Sequence, residues 1–171
     1  MLSQNLEKAL NEQLNAESFS AYLYLSMSAY FESQNLKGFA AWMSAQANEE
    51  YTHAEKFYDF ILQRGGRVKL LPLEGPKTDW NSPVEIFEEA LEHERYITKR
   101  INDLMDLATE EKDHATKIFL QWFVTEQVEE EDNVGSTLEQ IKMLSGSENG
   151  LFMLDRELGQ RKTGTEVEAD K

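Results

Sequence analysis

At 171 residues, with 40% hydrophobic and 11% aromatic content, the chain has the length of one domain and enough apolar surface for a core, which argues against disorder over most of it. Its 17 Lys and Arg stand against 32 Asp and Glu, and the formal charge of -15 repels phosphate backbones and draws hydrated cations, so nucleic acid is a poor partner and metal ions are a good one. Cysteine is absent, which excludes disulfides, thiolate zinc sites and cysteine-bound iron–sulfur clusters; any metal must sit on oxygen and imidazole.

The segment Met1 to Leu14 mixes Glu7, Lys8, Asn11 and Glu12 with its leucines and lacks the apolar run of a secretion signal. No stretch reaches the ~20 apolar residues of a membrane span, so no membrane partner and a cytoplasmic location are expected. Apolar residues recur at steps of three and four, the helical period. The pattern predicts α1 from about Gln4 to Ser33, α2 from about Lys37 to Arg64, α3 from Pro83 to about Glu111, α4 from about His114 to Leu144, and a short α5 from about Glu148 to Leu158. Gly65 and Gly66 supply a left-handed stop for α2. Ser82, Pro83 and Glu85 form a capping-box start for α3, with proline where its missing N–H is harmless.

The α1–α2 and α3–α4 links are a few residues long and make each pair antiparallel neighbours. The segment Gly65 to Ser82 is long enough, at roughly 3.3 Å per extended residue, to run back along a helix of about 28 residues and roughly 42 Å. Helices α2 and α3 are then parallel, joined by one long crossover. The expected fold is all-α: an antiparallel four-helix bundle over residues 1–158 with a short fifth C-terminal helix, followed by a polar, disordered tail over 159–171.

Following the buried seam of each helix shows what interrupts it. In α1 the seam runs Leu10, Leu14, Glu17, Ala21, Tyr24, Ser28, Phe31; in α2 it runs Phe39, Met43, Gln46, Glu50, His53, Phe57, Phe60. In α3 it runs Phe87, Ala90, Glu94, Ile97, Ile101, Leu104; in α4 it runs Phe119, Phe123, Glu126, Glu130, Asn133, Thr137, Ile141, Leu144. Every helix puts at least one carboxylate among apolar neighbours. Burying an ionised carboxylate costs on the order of several kcal/mol, and four or more together must hold protons or share a cation. Glu50 and His53, three residues apart, present an oxygen and a nitrogen to one ion. Glu126, Glu129 and Glu130 crowd one arc of α4, which suggests a further, weaker metal position. Oxygen-rich ligation with one imidazole suits Fe, Mn or Mg; two ions bridged by carboxylates can pass electrons to O₂ together, and iron is the expected metal.

In this order on four successive helices, Glu17, the pair Glu49-Glu50 followed by His53, then Glu94, Gln127 and Glu130, with Tyr24 two turns after Glu17, resemble the pattern of bacterial non-haem ferritins. The resemblance covers Leu2 to about Gln160. It implies a ferritin-like bundle, self-assembly into a hollow shell of twenty-four subunits, and an iron store with a ferroxidase centre that uses Fe(II) with O₂ or H₂O₂. By resemblance, one iron takes Glu17, Glu50 and His53 and the second takes Glu50, Glu94 and Glu130, with Gln127 beside it. Glu49, Glu126, Glu129 and Glu130 match the third iron position of bacterial members. Tyr24 is implied as a hydrogen-bonding neighbour and electron donor, with Trp122 a weaker candidate for the latter role. The second E-x-x-H of bacterioferritins is lacking on α4, which carries Gln127 and Glu130 instead, and their haem-binding methionine is replaced by Tyr51, so no haem is expected.

Against these stand blander readings: a core of polar groups satisfied by one another, a solvated face for Glu129-Glu130-Glu131-Asp132, and packing for Trp122. His93 and His114 are expected at the surface. Leu151, Phe152, Leu154 and Leu158 make an apolar face on α5 that suits burial against other subunits. Competing functions are a di-iron peroxidase that stores no iron, a DNA-protecting miniferritin and a purely structural acidic bundle.

Overall fold

The computed structural model describes residues 2–144 and 146–160; the tail expected to be disordered falls mainly on 161–171, outside the described residues. Five helices follow in order: α1 (Gln4–Ser33), α2 (Lys37–Gln63), α3 (Pro83–Glu110), α4 (His114–Leu144) and α5 (Glu148–Leu158), and no strand occurs among the described residues. The first four build the all-α bundle. None of the helices among the described residues is long and apolar enough to cross a membrane.

Each helix end has a chemical cause. Ser3 caps α1 by accepting from Leu6 N at 3.1 Å. Gly65, at φ +71°, closes α2, with Gly66 N donating to Ile61 O at 2.9 Å. At the start of α3, Ser82 Oγ accepts from Glu85 N at 3.2 Å, while Glu85 Oε2 reaches back to Asn81 N at 2.8 Å, one residue beyond the cap. Asp113 starts α4 by accepting from Thr116 N at 3.0 Å and also takes a two-pronged bond from Arg64, at 3.0 and 2.8 Å. The end of α2 is thereby fastened to the beginning of α4. That guanidinium holds the Asp113 carboxyl down at about 2.

The crossover lies along α1. Buried Asn11 donates to Arg67 O at 3.0 Å and accepts from Lys69 N at 2.6 Å; further up, Ser26 Oγ donates to Lys77 O at 2.7 Å and Tyr30 OH to Trp80 O at 2.5 Å. Chain order on the strap matches chain order on α1, so the crossover runs parallel to α1 and returns the chain to the end where α2 began. Helices α2 and α3 are therefore parallel, as the length of the segment predicts.

The interior has two apolar halves. One is built on Tyr24, Phe31, Phe39, Trp42, Phe87, Val134 and Ile141, the other on Leu10, Phe57, Phe60, Ile101, Leu120 and Phe123. Between them, at mid-height on all four helices, lies a buried polar layer that includes Glu17, Gln46, Glu50, His53, Glu94, Gln127 and Glu130.

The seams of α2 and α3 are buried as predicted. Two others need correction. On α4 the buried stripe is Thr116, Leu120, Phe123, Gln127, Glu130, Val134, Thr137, Leu138 and Ile141; Asn133 is exposed, and Phe119, Glu126 and Leu144 are half-buried. The predicted stripe took the opposite choice of three or four at several steps, which rotates part of the helix surface. On α1, Ala21 is only half-buried, while Leu6, Ser20, Leu23 and Met27 are buried as well, because this helix packs on both α2 and α3.

Helix α5 also departs from expectation. Leu154 and Leu158 bury into the chain's own upper core, with Leu151 packed beside them, whereas Phe152 and Met153 stay exposed. The cause is a cap across the fold: Asp155 Oδ1 accepts from Gly38 N at 2.8 Å and Phe39 N at 3.0 Å, closing the N-terminus of α2. A Cβ on Gly38 would fall 1.5 Å from Asp155 O, so only glycine admits this approach. In Gly38→Ala, α5 is expected to leave its seat while the bundle persists. Hydrogen exchange should then speed up in α5 at least tenfold with α1–α4 little changed; equal protection of α5 in both proteins would refute the interlock.

Candidate metal centre

Glu17, Glu50, His53, Glu94 and Glu130 converge in the polar layer, and none is more than 2% exposed. Three groups of ligand atoms lie within 4.8 Å of one another: Glu17–Glu50–His53, Glu50–Glu94–Glu130 and His53–Glu126–Glu130. Glu50 is common to the first two. One helical turn brings Glu50 and His53 together, with His53 Nδ1 3.4 Å from Glu50 Oε2. Helix α1 brings Glu17 opposite them, and the antiparallel pair α3 and α4 brings Glu94 and Glu130.

Three glutamines fasten the carboxylates. Gln13 Nε2 donates to Glu17 Oε1 at 2.7 Å, Gln46 Nε2 to Glu130 Oε2 at 2.6 Å and Glu50 Oε1 at 3.3 Å, and Gln127 Nε2 to Glu94 Oε2 at 3.1 Å. Tyr24 OH donates to Glu94 Oε1, which places the phenol directly on a candidate ligand. Among the described residues two buried side-chain atoms have no hydrogen-bond partner, Glu17 Oε2 and His53 Nδ1. Both belong to the same group, and such orphaned atoms are uncommon in native interiors. An oxygen and an imidazole nitrogen left open beside Glu50 fit a divalent cation.

Charge in the layer is strained. Burial pushes the carboxyls of Glu17 and Glu50 up, and Glu94 rises to about 7 for the same reason. Glu130 reaches about 8, through burial and then the neighbouring Glu94 charge. For His53, burial pulls the pKa down, but the Glu126, Glu50 and Glu17 carboxylates outweigh it and raise the imidazole well above its ordinary value. Tyr24 is pushed well above the usual phenol range by burial and the surrounding carboxylates.

The third group of expected ligands is only partly gathered. Glu126 is half-buried, its Oε1 3.8 Å from His53 Nε2, and Glu130 joins them. Glu49, directly before Glu50 in α2, is half-buried, and its charge reaches Glu130. Glu129 is exposed and lies in none of the three groups. Trp122 is 40% exposed, with its ring edge-on to His53 at 5.4 Å between centroids. His114 is exposed as expected. His93 is not: it packs between Phe19, Tyr24 and Tyr96, pairs with Ser20 Oγ at 2.7 Å, and burial depresses its pKa to about 4. It faces the α1–α3 contact, which the seam running past Glu94 does not reveal. Sequence reading also missed the work of Gln13 and Gln46. Each stands four residues before a seam glutamate, an i, i+4 pair that was visible.

A family model, described as a ferritin-like domain, matches residues 7–144. The chain belongs to the ferritin family. It is 45% identical to a bacterial non-heme ferritin of Bacteroides fragilis (strain 638R) over 161 residues, 94% of this chain and 100% of that one. A bacterial non-heme ferritin of Staphylococcus aureus (strain USA300) is 38% identical over 94% of this chain and 97% of its own length. Among solved structures, an open pore ferritin from the hyperthermophilic archaeon Archaeoglobus fulgidus superposes with a TM-score of 0.94 at 49% identity, covering 95% of this chain and 100% of that one.

The raised carboxyls make a signed prediction. A glutamate whose folded pKa lies above its unfolded value of 4.5 favours the folded state fully below 4.5, and that contribution is lost as pH rises through the folded pKa, about 8 for Glu130. Glu130→Gln, which mimics the protonated acid, should therefore unfold at the same temperature as the metal-free wild type near pH 4.5 and at a higher one at pH 8. Thermal scans across that range check it, and an advantage that does not grow with pH would contradict the assignment.

Proposed function

We propose that this ferritin-family chain is an iron-storage subunit with its own ferroxidase centre. The observation that carries the reading is the buried layer in which Glu17 Oε2 and His53 Nδ1 have no hydrogen-bond partner, the latter 3.4 Å from Oε2 of the shared Glu50. One Fe(II) takes Glu17, Glu50 and His53; a second takes Glu50, Glu94 and Glu130, with Glu50 bridging and Gln127 beside it. Glu49, Glu126, Glu129 and Glu130 form a third, weaker station toward the exposed edge of α4. Each iron gives up one electron, and O₂ accepts the pair with two protons as hydrogen peroxide. No haem takes part.

The chain's own work is positioning and charge compensation. Carboxylates that hold protons in the metal-free layer release them as Fe(II) arrives, so binding strengthens as pH rises through the range of Glu94 and Glu130, about 7 to 8. Tyr24, which donates a hydrogen bond to Glu94, holds that carboxylate in the orientation in which it meets the second iron. Residues 1–158 act as one ferritin-like unit, and twenty-four copies close a shell that receives the Fe(III) as mineral, the assembly that family membership supports.

His53→Ala and Glu50→Ala are expected to slow Fe(II)-dependent O₂ consumption by roughly tenfold or more, the scale of losing a metal ligand's support, with helix content and assembly intact. Oxygen uptake at wild-type rate in both variants would remove the ligand assignment. Counting iron per subunit after repeated aerobic additions separates storage from a peroxidase: storage runs far past the site's capacity, whereas a non-storing enzyme stops near two.

A further inference from the structure

We propose that Arg100, at the outer face of α3, is a positioning residue that acts through Gln13 to set the orientation in which Glu17 meets the metal. This rests on the reading that Glu17 holds an iron. Arg100 Nε donates to Gln13 Oε1 at 2.9 Å, and Gln13 Nε2 donates to Glu17 Oε1 at 2.7 Å. A guanidinium has donors and no acceptor, so the amide oxygen of Gln13 must face it and the NH₂ must face the carboxylate. Reversing the amide would set donor against donor at one end and acceptor against acceptor at the other. Gln13 is fully buried, and neither mismatch could be relieved by water.

The consequence reaches the site itself. With Oε1 committed to Gln13, Glu17 offers its remaining oxygen, the unpartnered Oε2, to the ion shared with Glu50 and His53. The other two amides of the layer donate to carboxylates as well. Gln127 donates to the side chain and backbone carbonyl of Glu94 and to Thr98 Oγ1 at 3.4 Å, and Gln46 donates to Glu50 and Glu130. Gln13 has its amide oxygen on a guanidinium that reaches in from the outer face of α3. Arg100 is itself held by a bond from Nη1 to Tyr96 OH at 3.2 Å, and it borders two surface clefts of about 390 and 230 Å³. Shortening or exchanging this side chain therefore opens no void in the core, and loss of packing does not stand in for loss of orientation.

The test uses the assembled full-length chain and titration with Co(II), which reports coordination by its visible absorption without oxidation. Wild type is expected to bind two ions per chain tightly, ahead of any filling of the weaker third station. Arg100→Met and Gln13→Met should each weaken one of the two by about tenfold or more and change its spectrum, leaving the other ion as it was. The double variant should lose no more than either single one, because both substitutions cut the same chain of bonds. Arg100→Lys should restore most of the affinity. Should Arg100→Met not assemble, Gln13→Met and Arg100→Lys decide the matter by the same readout. Wild-type titration of Arg100→Met and Gln13→Met, or losses that multiply in the double variant, would overturn the proposal. Glu17→Ala keeps the two levels apart: if it loses one ion while Arg100→Met does not, only the Arg100 role falls. If Glu17→Ala still binds both ions normally, the Glu17 assignment falls and the Arg100 role with it.

Discussion

Four carboxylates from four helices share a space from which water is almost wholly excluded, and the rest of the molecule is organised around that electrostatic liability. Alone, each would resist ionising; together, they raise one another further, as the elevated Glu94 and Glu130 show. Two apolar halves sandwich the layer and keep its dielectric low, so its charges interact strongly with one another and with whatever ion enters. A divalent cation turns the same crowding from a cost into affinity.

Holding buried carboxylates from four helices at one height requires that the helices do not slide. The locks at the bundle ends serve that requirement. Arg64 ties the end of α2 to the start of α4, Asp155 ties α5 across the start of α2, and the crossover is pinned to α1 at Asn11, Ser26 and Tyr30. Within the layer the amides of Gln13, Gln46 and Gln127 take the remaining freedom from the carboxylates. Global register and local orientation are thus set by different residues, and the first acts many ångströms from the chemistry.

Much of this could be read before any coordinates. Helix ends were legible where a residue type has one physical use: the cap at Ser82 with Pro83, or the left-handed Gly65. The buried polar layer was legible because a carboxylate or imidazole in an apolar seam contradicts its surroundings, and Glu17, Glu50, His53, Glu94 and Glu130 all do so. What stayed hidden depended on partners distant in sequence. His93 looks like a surface residue until α1 is seen to press Phe19, Ser20 and Tyr24 against it. The stripe of α4 was partly misphased because its 3-4 alternation admits two choices: Leu120 is as apolar as Phe119, although the polarity of Asn133 beside Val134 could have shown the error there. The seat of α5 could not be foreseen because the cap on α2 comes from Asp155, more than a hundred residues away along the chain. Arg100 reads as one more surface cation until its nitrogen is found on Gln13.

The central claim is that these acids are tolerated inside because a multivalent ion neutralises them. Anomalous diffraction from a crystal of the protein soaked in Fe(II) without oxygen tests it most directly. The account expects two strong peaks per chain, one between Glu17, Glu50 and His53 and the other between Glu50, Glu94 and Glu130. A layer without anomalous density, its acids paired through shared protons around ordered water at saturating iron, would contradict it.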